Sequence, residues 1–247
     1  VIAAADHARC SSSRLRERLQ RRIHQRWETV ESELSFGAAV LTFTRIADPN
    51  RVLDEAVAEE DRRRENGDPP LYEPPHLPYW AELWESAGAL ATALARTPPA
   101  RDARVLDLGC GMGLCGAVAA ALGASVVLAD MEPGALLLAR LNTLPFVDRA
   151  RVRRLDWRRD RLAERFDLIL GADILYERGQ WEFLHEFFRV HLRENGSVWL
   201  SEPGRQSGDA FVPWIRARGW TMREELVAVD SRPQPIRVMR LDEPVLS

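Results

Sequence analysis

The sequence predicts an α/β fold: a doubly wound, seven-stranded sheet, mostly parallel, closing with an antiparallel C-terminal hairpin and preceded by an N-terminal helix and hairpin extension. Three observations predict it. From residue 104 onwards short apolar runs alternate with helical stretches, a rhythm that needs a parallel sheet covered on both faces. The turn after the first run, "VLDLGCGMGLCG" at residues 105–116, is rich in glycine and led by an acid. After Gly219 the rhythm stops, and two strand-like runs follow with no helix between them, as in an antiparallel hairpin at a sheet edge.

Taken in order, residues 14–30, "RLRERLQRRIHQRWETV", set Leu15, Leu19, Ile23, Trp27 and Val30 three or four apart, opposite an arginine face. That spacing predicts an amphipathic helix whose arginines face solvent. "SELSFGAAVLTFTRI" alternates as two short strands around Gly37, and "DPNRVLDEAVAEEDRRRE" opens with an Asp-Pro helix start. "DPPLYEPPHLPYW", residues 68–80, holds five prolines and predicts an extended strap. It leads into the helical stretch "YWAELWESAGALATALA". Strands are expected over 104–108, 125–130, 151–156, 166–173 and 196–202, with helices near 114–122, 133–143, 179–193 and 207–218. "WTMREELVAVD" and "PIRVMRLDE" complete the sheet. The expected division is residues 1–70 for the extension and 71–247 for the sheet domain.

With 247 residues, 46% of them hydrophobic, the chain can bury the core of one large domain. A net charge of -3 and a pI near 6.0 give no whole-protein attraction to nucleic acid or to an anionic membrane, and neither partner is expected. No run approaches the roughly 18 apolar residues of a bilayer span, and the first thirty residues lack a signal-like apolar segment, so a cytoplasmic location is expected. All 34 basic residues are arginine. Cys10, Cys110 and Cys115 are odd in number, two of them inside the glycine turn, and no second cluster completes a zinc site; no metal is expected.

The glycine turn fits two patterns. Read from Gly111 it is G-x-G-x-x-G, the dinucleotide fingerprint; read from Asp107 it is the acid-led loop of enzymes that bind S-adenosylmethionine. A dinucleotide fold opens near its glycine loop and has two mononucleotide halves. Here a long segment precedes the loop, there is one glycine-rich turn, and the sheet ends in a hairpin. The strand ends favour the second pattern. Gly109, Cys110, Gly111 and Gly113 let backbone and helix N-terminal amides approach an amino-acid moiety. Asp107 can meet its ammonium, and Asp130 can accept from both ribose hydroxyls, although that role alone suits NAD equally. Asp156 can accept from an adenine amino group beside Trp157, and Met131 offers a soft apolar surface. A single acid at a strand end also suits a helix cap; three in a row suit a cationic ligand.

On these residues the chain resembles the Rossmann-like, seven-β-strand S-adenosylmethionine-dependent methyltransferases, and within them the lysine methyltransferase group called methyltransferase family 16. The resemblance spans about residues 70–240 and rests on "PYWAELW", "LDLGCGMGLCG", "VVLAD", "LDW" and "FDLILGADILYE". It implies that Trp84, Gly109, Gly111, Asp130, Trp157 and Ala172 line the cofactor, and that Asp173 and Tyr176, in the run Asp173-Ile174-Leu175-Tyr176, face the acceptor nitrogen. The Asn-Pro-Pro-Tyr run of base-modifying relatives is missing. The implied activity is in-line methyl transfer to lysine of a protein substrate. The alternatives are a small-molecule N-methyltransferase, a non-catalytic partner-binding module and an NAD oxidoreductase. His185 and His191 are expected to be packing or surface residues.

Overall fold

The computed structural model describes residues 2–69 and 77–243, with side chains from Ser13 onwards. Its first elements are α1 (Ile2–His24), the strands β1 (Thr29–Phe36) and β2 (Ala39–Ile46), and α2 (Pro49–Asn66). Then come α3 (Glu85–Arg96), β3 (Arg104–Leu108), α4 (Leu114–Ala121), β4 (Ser125–Asp130), α5 (Pro133–Asn142) and β5 (Ala150–Arg154). The chain continues through β6 (Phe166–Ala172), α6 (Trp181–His191), β7 (Leu192–Glu202), α7 (Gln206–Arg216), β8 (Thr221–Val227) and β9 (Ile236–Asp242).

The seven-stranded sheet has the order β5-β4-β3-β6-β7-β9-β8. Neighbours from β5 to β7 are parallel, while β9 runs antiparallel to both β7 and β8. The chain leaves β3 towards β4 and β5, then returns on the other side of β3 with β6. Strand order therefore reverses between β3 and β6, and the crevice beyond their C-terminal ends is where such sheets take ligands.

Each face of the sheet has its own cover. On one side Trp181, Phe187 and Phe188 of α6 and Phe211 of α7 are fully buried against Leu106, Ile169 and Val198. On the other, α3, α4 and α5 share one apolar cluster with Leu19 and Ile23 of α1 and with Leu41, Phe43 and Ile46 of β2. The N-terminal elements thus extend the sheet's own core. Asn142, 4% exposed, adds a polar tie. Its amide accepts from the Thr44 N–H at 2.8 Å and donates to the carbonyls of Thr44 and Met112, both at 2.9 Å. The β2 strand and the glycine turn are bound to one side chain.

Several boundaries differ from expectation: β7 begins at Leu192 and not at 196, α6 ends at His191, and α3 begins only at Glu85, while two further differences bear on residues singled out above. The first helix stops at His24, before Trp27, because Thr29 and Val30 pair with Ile46 and Arg45 at the end of an eight-residue ladder. Trp27 instead packs edge-on against Trp80, with ring centroids 5.2 Å apart. The strand expected over 151–156 ends at Arg154, which leaves Asp156 in the following turn. The α2 start is as expected: Asp48 caps it by accepting from the Arg51 N–H at 3.2 Å, with Pro49 next. Residues 70–76 of the proline-rich stretch, and the Cys10 side chain, lie outside the described residues. His191 is a packing residue, fully buried and stacked on Phe187; its Nε2 accepts from the Leu162 N–H and its Nδ1–H donates to the Phe187 carbonyl. His185 lies edge-on to Trp214 and Trp220.

Candidate active site

The turn after β3 is pinned by the acids at the tips of β3 and β4. Asp107, 2% exposed, accepts from the Gly116 N–H through Oδ2 at 2.8 Å. Burial pushes its carboxyl up from 3.8 to about 7; the Gly116 bond opposes this and the nearby Asp130 charge adds to it. Asp130 accepts from the Gly111 N–H through Oδ2 and from the Glu132 N–H through Oδ1, both at 2.9 Å. Burial raises it as well, to about 6, against the pull of those N–H groups.

Two glycines have separate duties. Gly109 sits at φ +65°, and a Cβ there would lie 2.8 Å from Ile174 Cγ2, so the turn lies against the tip of β6 only because the side chain is missing. Gly113, at φ +87°, would place a Cβ 2.9 Å from Leu128 and 3.0 Å from Ala139. It seats the start of α4 against β4 and α5.

Above these tips opens a cleft of about 900 Å³, counting its mouth. Asp107, Gly109, Cys110 and Gly111 line it from β3, and Asp130 and Met131 from β4. Trp157 forms a wall, its ring fixed by Nε1 donating to Gln180 Oε1 at 3.2 Å. Ala172, Asp173 and Tyr176 line it from β6 and the turn beyond, and Trp84 faces them from the start of α3. Burial holds the Cys110 and Cys115 thiols well above their ordinary value, so both stay protonated.

Gly113 and Asp156 are the two expected site residues that the structure does not bring into the cleft. Gly113 serves the packing just described. Asp156 is occupied elsewhere: Oδ1 accepts from Arg158 Nε and Oδ2 from Arg158 Nη2, each at 2.8 Å, and Oδ2 also accepts from Arg159 Nε at 2.9 Å. The Arg158 guanidinium holds its carboxyl down at about 2. A carboxylate committed to two arginines is a poor acceptor for an adenine amino group.

The mouth is aromatic, and Arg205 lies beside two of its residues. Tyr176, 43% exposed, lies edge-on to Tyr79, 44% exposed, at 5.7 Å, and Tyr79 lies edge-on to Trp84 at 6.3 Å. Desolvation, then the Glu177 charge, pushes the Tyr176 phenol up to about 12, so it is neutral. Asp173 is a non-glycine residue at φ +54°, a sparsely populated conformation that marks local strain. Its N–H donates to the Ser201 carbonyl at 2.8 Å, and its carboxylate accepts from Arg205 Nη2 at 2.8 Å and Nε at 3.3 Å. The Arg205 guanidinium also lies 5.5 Å from the centre of the Trp84 ring.

Sequence reasoning missed Tyr79 and Trp80, which line the cleft and stand in the aromatic run from which only Trp84 was picked. It missed Arg205 too, since nothing in the linear sequence joins it to Asp173. Among the described residues none of the lining side chains precedes Leu77, so β1 and β2 brace the site from behind. Among these residues no group of three His, Cys, Asp or Glu side chains could hold a metal ion, and no helix is long and apolar enough to cross a membrane.

The model of the lysine methyltransferase family matches residues 80–212, more than half of the chain and all of the described cleft lining but Leu77 and Tyr79. The chain belongs to the lysine methyltransferase family. Within it, the chain is 36% identical over 135 residues to the electron transfer flavoprotein beta subunit lysine methyltransferase of Xenopus laevis, covering 52% of this chain and 53% of that protein. It is 35% identical over 128 residues to the protein N-lysine methyltransferase METTL21A of Xenopus tropicalis, covering 49% and 58%. The chain spans about half the length of the curated relatives it matches. Among solved structures the glycopeptide N-methyltransferase MtfA shares the fold, with a TM-score of 0.57 at 16% identity over 64% of this chain and 90% of that one.

Proposed function

We propose that this member of the lysine methyltransferase family is an S-adenosylmethionine-dependent enzyme that methylates a lysine side chain of a protein substrate. The observation that carries the reading is the convergence of Asp107, Asp130, Trp157 and Asp173 on one cleft with an exposed aromatic mouth. The residues present fit the cofactor. Two buried carboxylates with raised proton affinity suit a ligand that brings positive charge, and the turn is open at Gly111, where a Cβ would meet nothing nearer than the Trp80 carbonyl oxygen at 3.9 Å. When bound, S-adenosylmethionine supplies an activated methyl group on a cationic sulfonium.

Every other part of the chemistry belongs to the chain. Asp107 meets the ligand's ammonium, and Asp130, already oriented by two N–H groups, accepts from the ribose hydroxyls. Trp157 and Met131 bound the adenine. Asp173 and Tyr176 orient the acceptor nitrogen, and such positioning supplies roughly 7 to 11 kcal/mol of a barrier when reacting atoms are held in line. The ring of Tyr176 favours the cationic character that develops on nitrogen, worth roughly 0.5 to 2 kcal/mol. The open rim at Tyr79 and Tyr176 favours a side chain presented by a macromolecule over an enclosed small molecule, and the relatives named for protein lysines point the same way. The reading places the enzyme in the cytoplasm.

Calorimetric titration with S-adenosylhomocysteine tests the cofactor half: Asp130→Ala weakens binding at least tenfold, and an unchanged affinity overturns the site. The acceptor half is tested by incubating the protein with methyl-labelled S-adenosylmethionine and a cell extract. Label is expected in lysine from acid-hydrolysed protein bands. Since this chain contains no lysine, such label reports another protein; label confined to small molecules overturns the protein substrate.

A further inference from the structure

Arg205 is held beside Asp173 and Trp84, two residues that line the cleft, and the fold goes to some length to keep it there. Its guanidinium spans both oxygens of Asp173, at 2.8 and 3.3 Å, and lies over Trp84. The loop that carries it is fixed at three points. The N–H groups of Gly204 and Arg205 donate to Glu202 Oε2 at 2.8 and 2.9 Å, and Arg232 donates to the Pro203 carbonyl at 2.9 Å. Glu202 is buried and its Oε1 lies 3.3 Å from Arg237 Nε of β9, so Arg237 balances part of its charge while the Arg205 guanidinium makes its hydrogen bonds to Asp173. On the other side of the pair, Asp173 adopts its strained backbone with the carboxylate turned to meet Arg205.

The chemistry of the proposed reaction gives this pair a purpose. Methyl transfer needs the lone pair of a neutral amine, whereas lysine in water is protonated up to about 10.4. A lone carboxylate at the mouth makes matters worse, because an opposite charge within about 4–6 Å favours the ammonium. We propose that Arg205 is a positioning and specificity-determining residue of the acceptor site: by pairing with Asp173 it leaves a hydrogen-bond acceptor without net charge, so that lysine enters as the free amine. This rests on the lysine-methyltransferase reading above. In the transfer the nitrogen lone pair forms the new N–C bond as the C–S bond breaks towards sulfur, and the methylated ammonium sheds one proton to solvent. Among the described residues the other ionisable groups of the cleft and its mouth are Tyr79 and Glu82 ahead of α3, Asp107, Cys110 and Cys115 from β3 to α4, Asp130 at the end of β4 with Glu132 after it, and Tyr176 with Glu177 beyond β6. Asp173, then Glu202 and Tyr79, favour the charged form of Arg205 against its desolvation.

The test is the pH dependence of kcat/KM for methyl incorporation into the most strongly labelled protein purified from the extract, with saturating S-adenosylmethionine. Arg205→Gln moves the ascending limb up by about one pH unit or more, and its rate approaches that of the wild type on the alkaline side. Arg205→Lys keeps the wild-type profile. Asp173→Asn moves the limb down, and the double variant Asp173→Asn with Arg205→Gln brings it back towards the wild type. S-adenosylhomocysteine affinity, unchanged throughout, shows that each variant is folded; should Arg205→Gln not fold, the shift in Asp173→Asn and the profile of Arg205→Lys decide the matter. A limb that stays in place while the rate of Arg205→Gln falls equally at every pH overturns the proposal. So does a lower KM with a higher rate near neutral pH, which would mean that the guanidinium obstructs the acceptor. A wild type that binds S-adenosylhomocysteine but labels no lysine overturns the lysine reading itself, and is thereby told apart from a failure at Arg205.

Discussion

Replacing Asp107 by Asn strengthens the fold while weakening the site, and the size of the effect follows from its burial. The carboxyl ordinarily titrates at 3.8 and is held at about 7 in the folded chain. A raised folded value means that the stabilising contribution of the protonated acid is fully present below the unfolded value and is lost as pH rises through about 7. At about 1.36 kcal/mol for each unit, the ionised group costs the folded wild type about 4 kcal/mol above that point. Asn is neutral at every pH, and its amide oxygen can still accept from the Gly116 N–H. Thermal melts of both proteins at about pH 8.5 and about pH 5.5 measure the difference, since roughly 2 kcal/mol of the variant's advantage disappears across that window. For a chain of this length that is a change of roughly 4 to 8 °C in the gap between the two Tm values. Added S-adenosylmethionine narrows the gap further at the higher pH, because its ammonium offsets the buried charge. A gap that does not vary with pH would refute the argument that a buried, ionised Asp107 is held at a cost.

Three further outcomes follow from the geometry. Asn142→Leu strands the Thr44 N–H and the carbonyls of Thr44 and Met112 in the core; urea titration should show a loss of about 3 kcal/mol, and a loss well under half of that would mean that solvent reaches those groups. Gly113→Ala combines a left-handed backbone with contacts of 2.9 to 3.1 Å to Leu128 and Ala139. Its expected cost is about 2 to 3 kcal/mol, read from the same titration, and a neutral result would show that α4 can shift. Tyr176→Phe keeps most of the methylation rate, because the phenol, pushed up to about 12, stays neutral across ordinary assay conditions. Tyr176→Ala loses about tenfold, the equivalent of roughly 1.4 kcal/mol of ring attraction; equal losses in both variants would give the hydroxyl a role that this reading denies it.

The parts of the fold and site that were legible in the sequence are those set by short-range pattern. The β3 and β4 runs and their terminal acids are readable because a buried parallel strand is a short apolar block and its last polar residue stands at the crevice. The glycines of the turn look alike in the sequence, yet what separates Gly109 from Gly113 is the position of Ile174, Leu128 and Ala139, each distant along the chain. Asp156 shows a local competitor overlooked: Arg158 and Arg159 follow within three residues, and short-range hydrogen bonds of an aspartate turn claimed the carboxylate. The first helix was drawn too long because Trp27 and Val30 satisfy a helical spacing, while Thr29 and Val30 belong to a strand whose partner lies sixteen or so residues on. Arg205 was invisible for the same reason as most salt bridges, since only the folded chain brings α7 to the end of β6.

The tie that Asn142 makes between β2 and the glycine turn bears on anyone who would trim or recombine this protein. Removing the segment before α3 would uncover the apolar side of α4 and α5 and also orphan the amide that steadies Met112, so a shortened version that starts at α3 should come out of the cell as inclusion bodies. Grafting a different front end onto the catalytic half would succeed only if the donor brought its own plug for that amide, which makes the first hairpin and the ligand turn a single engineering module despite the more than sixty residues of chain between them.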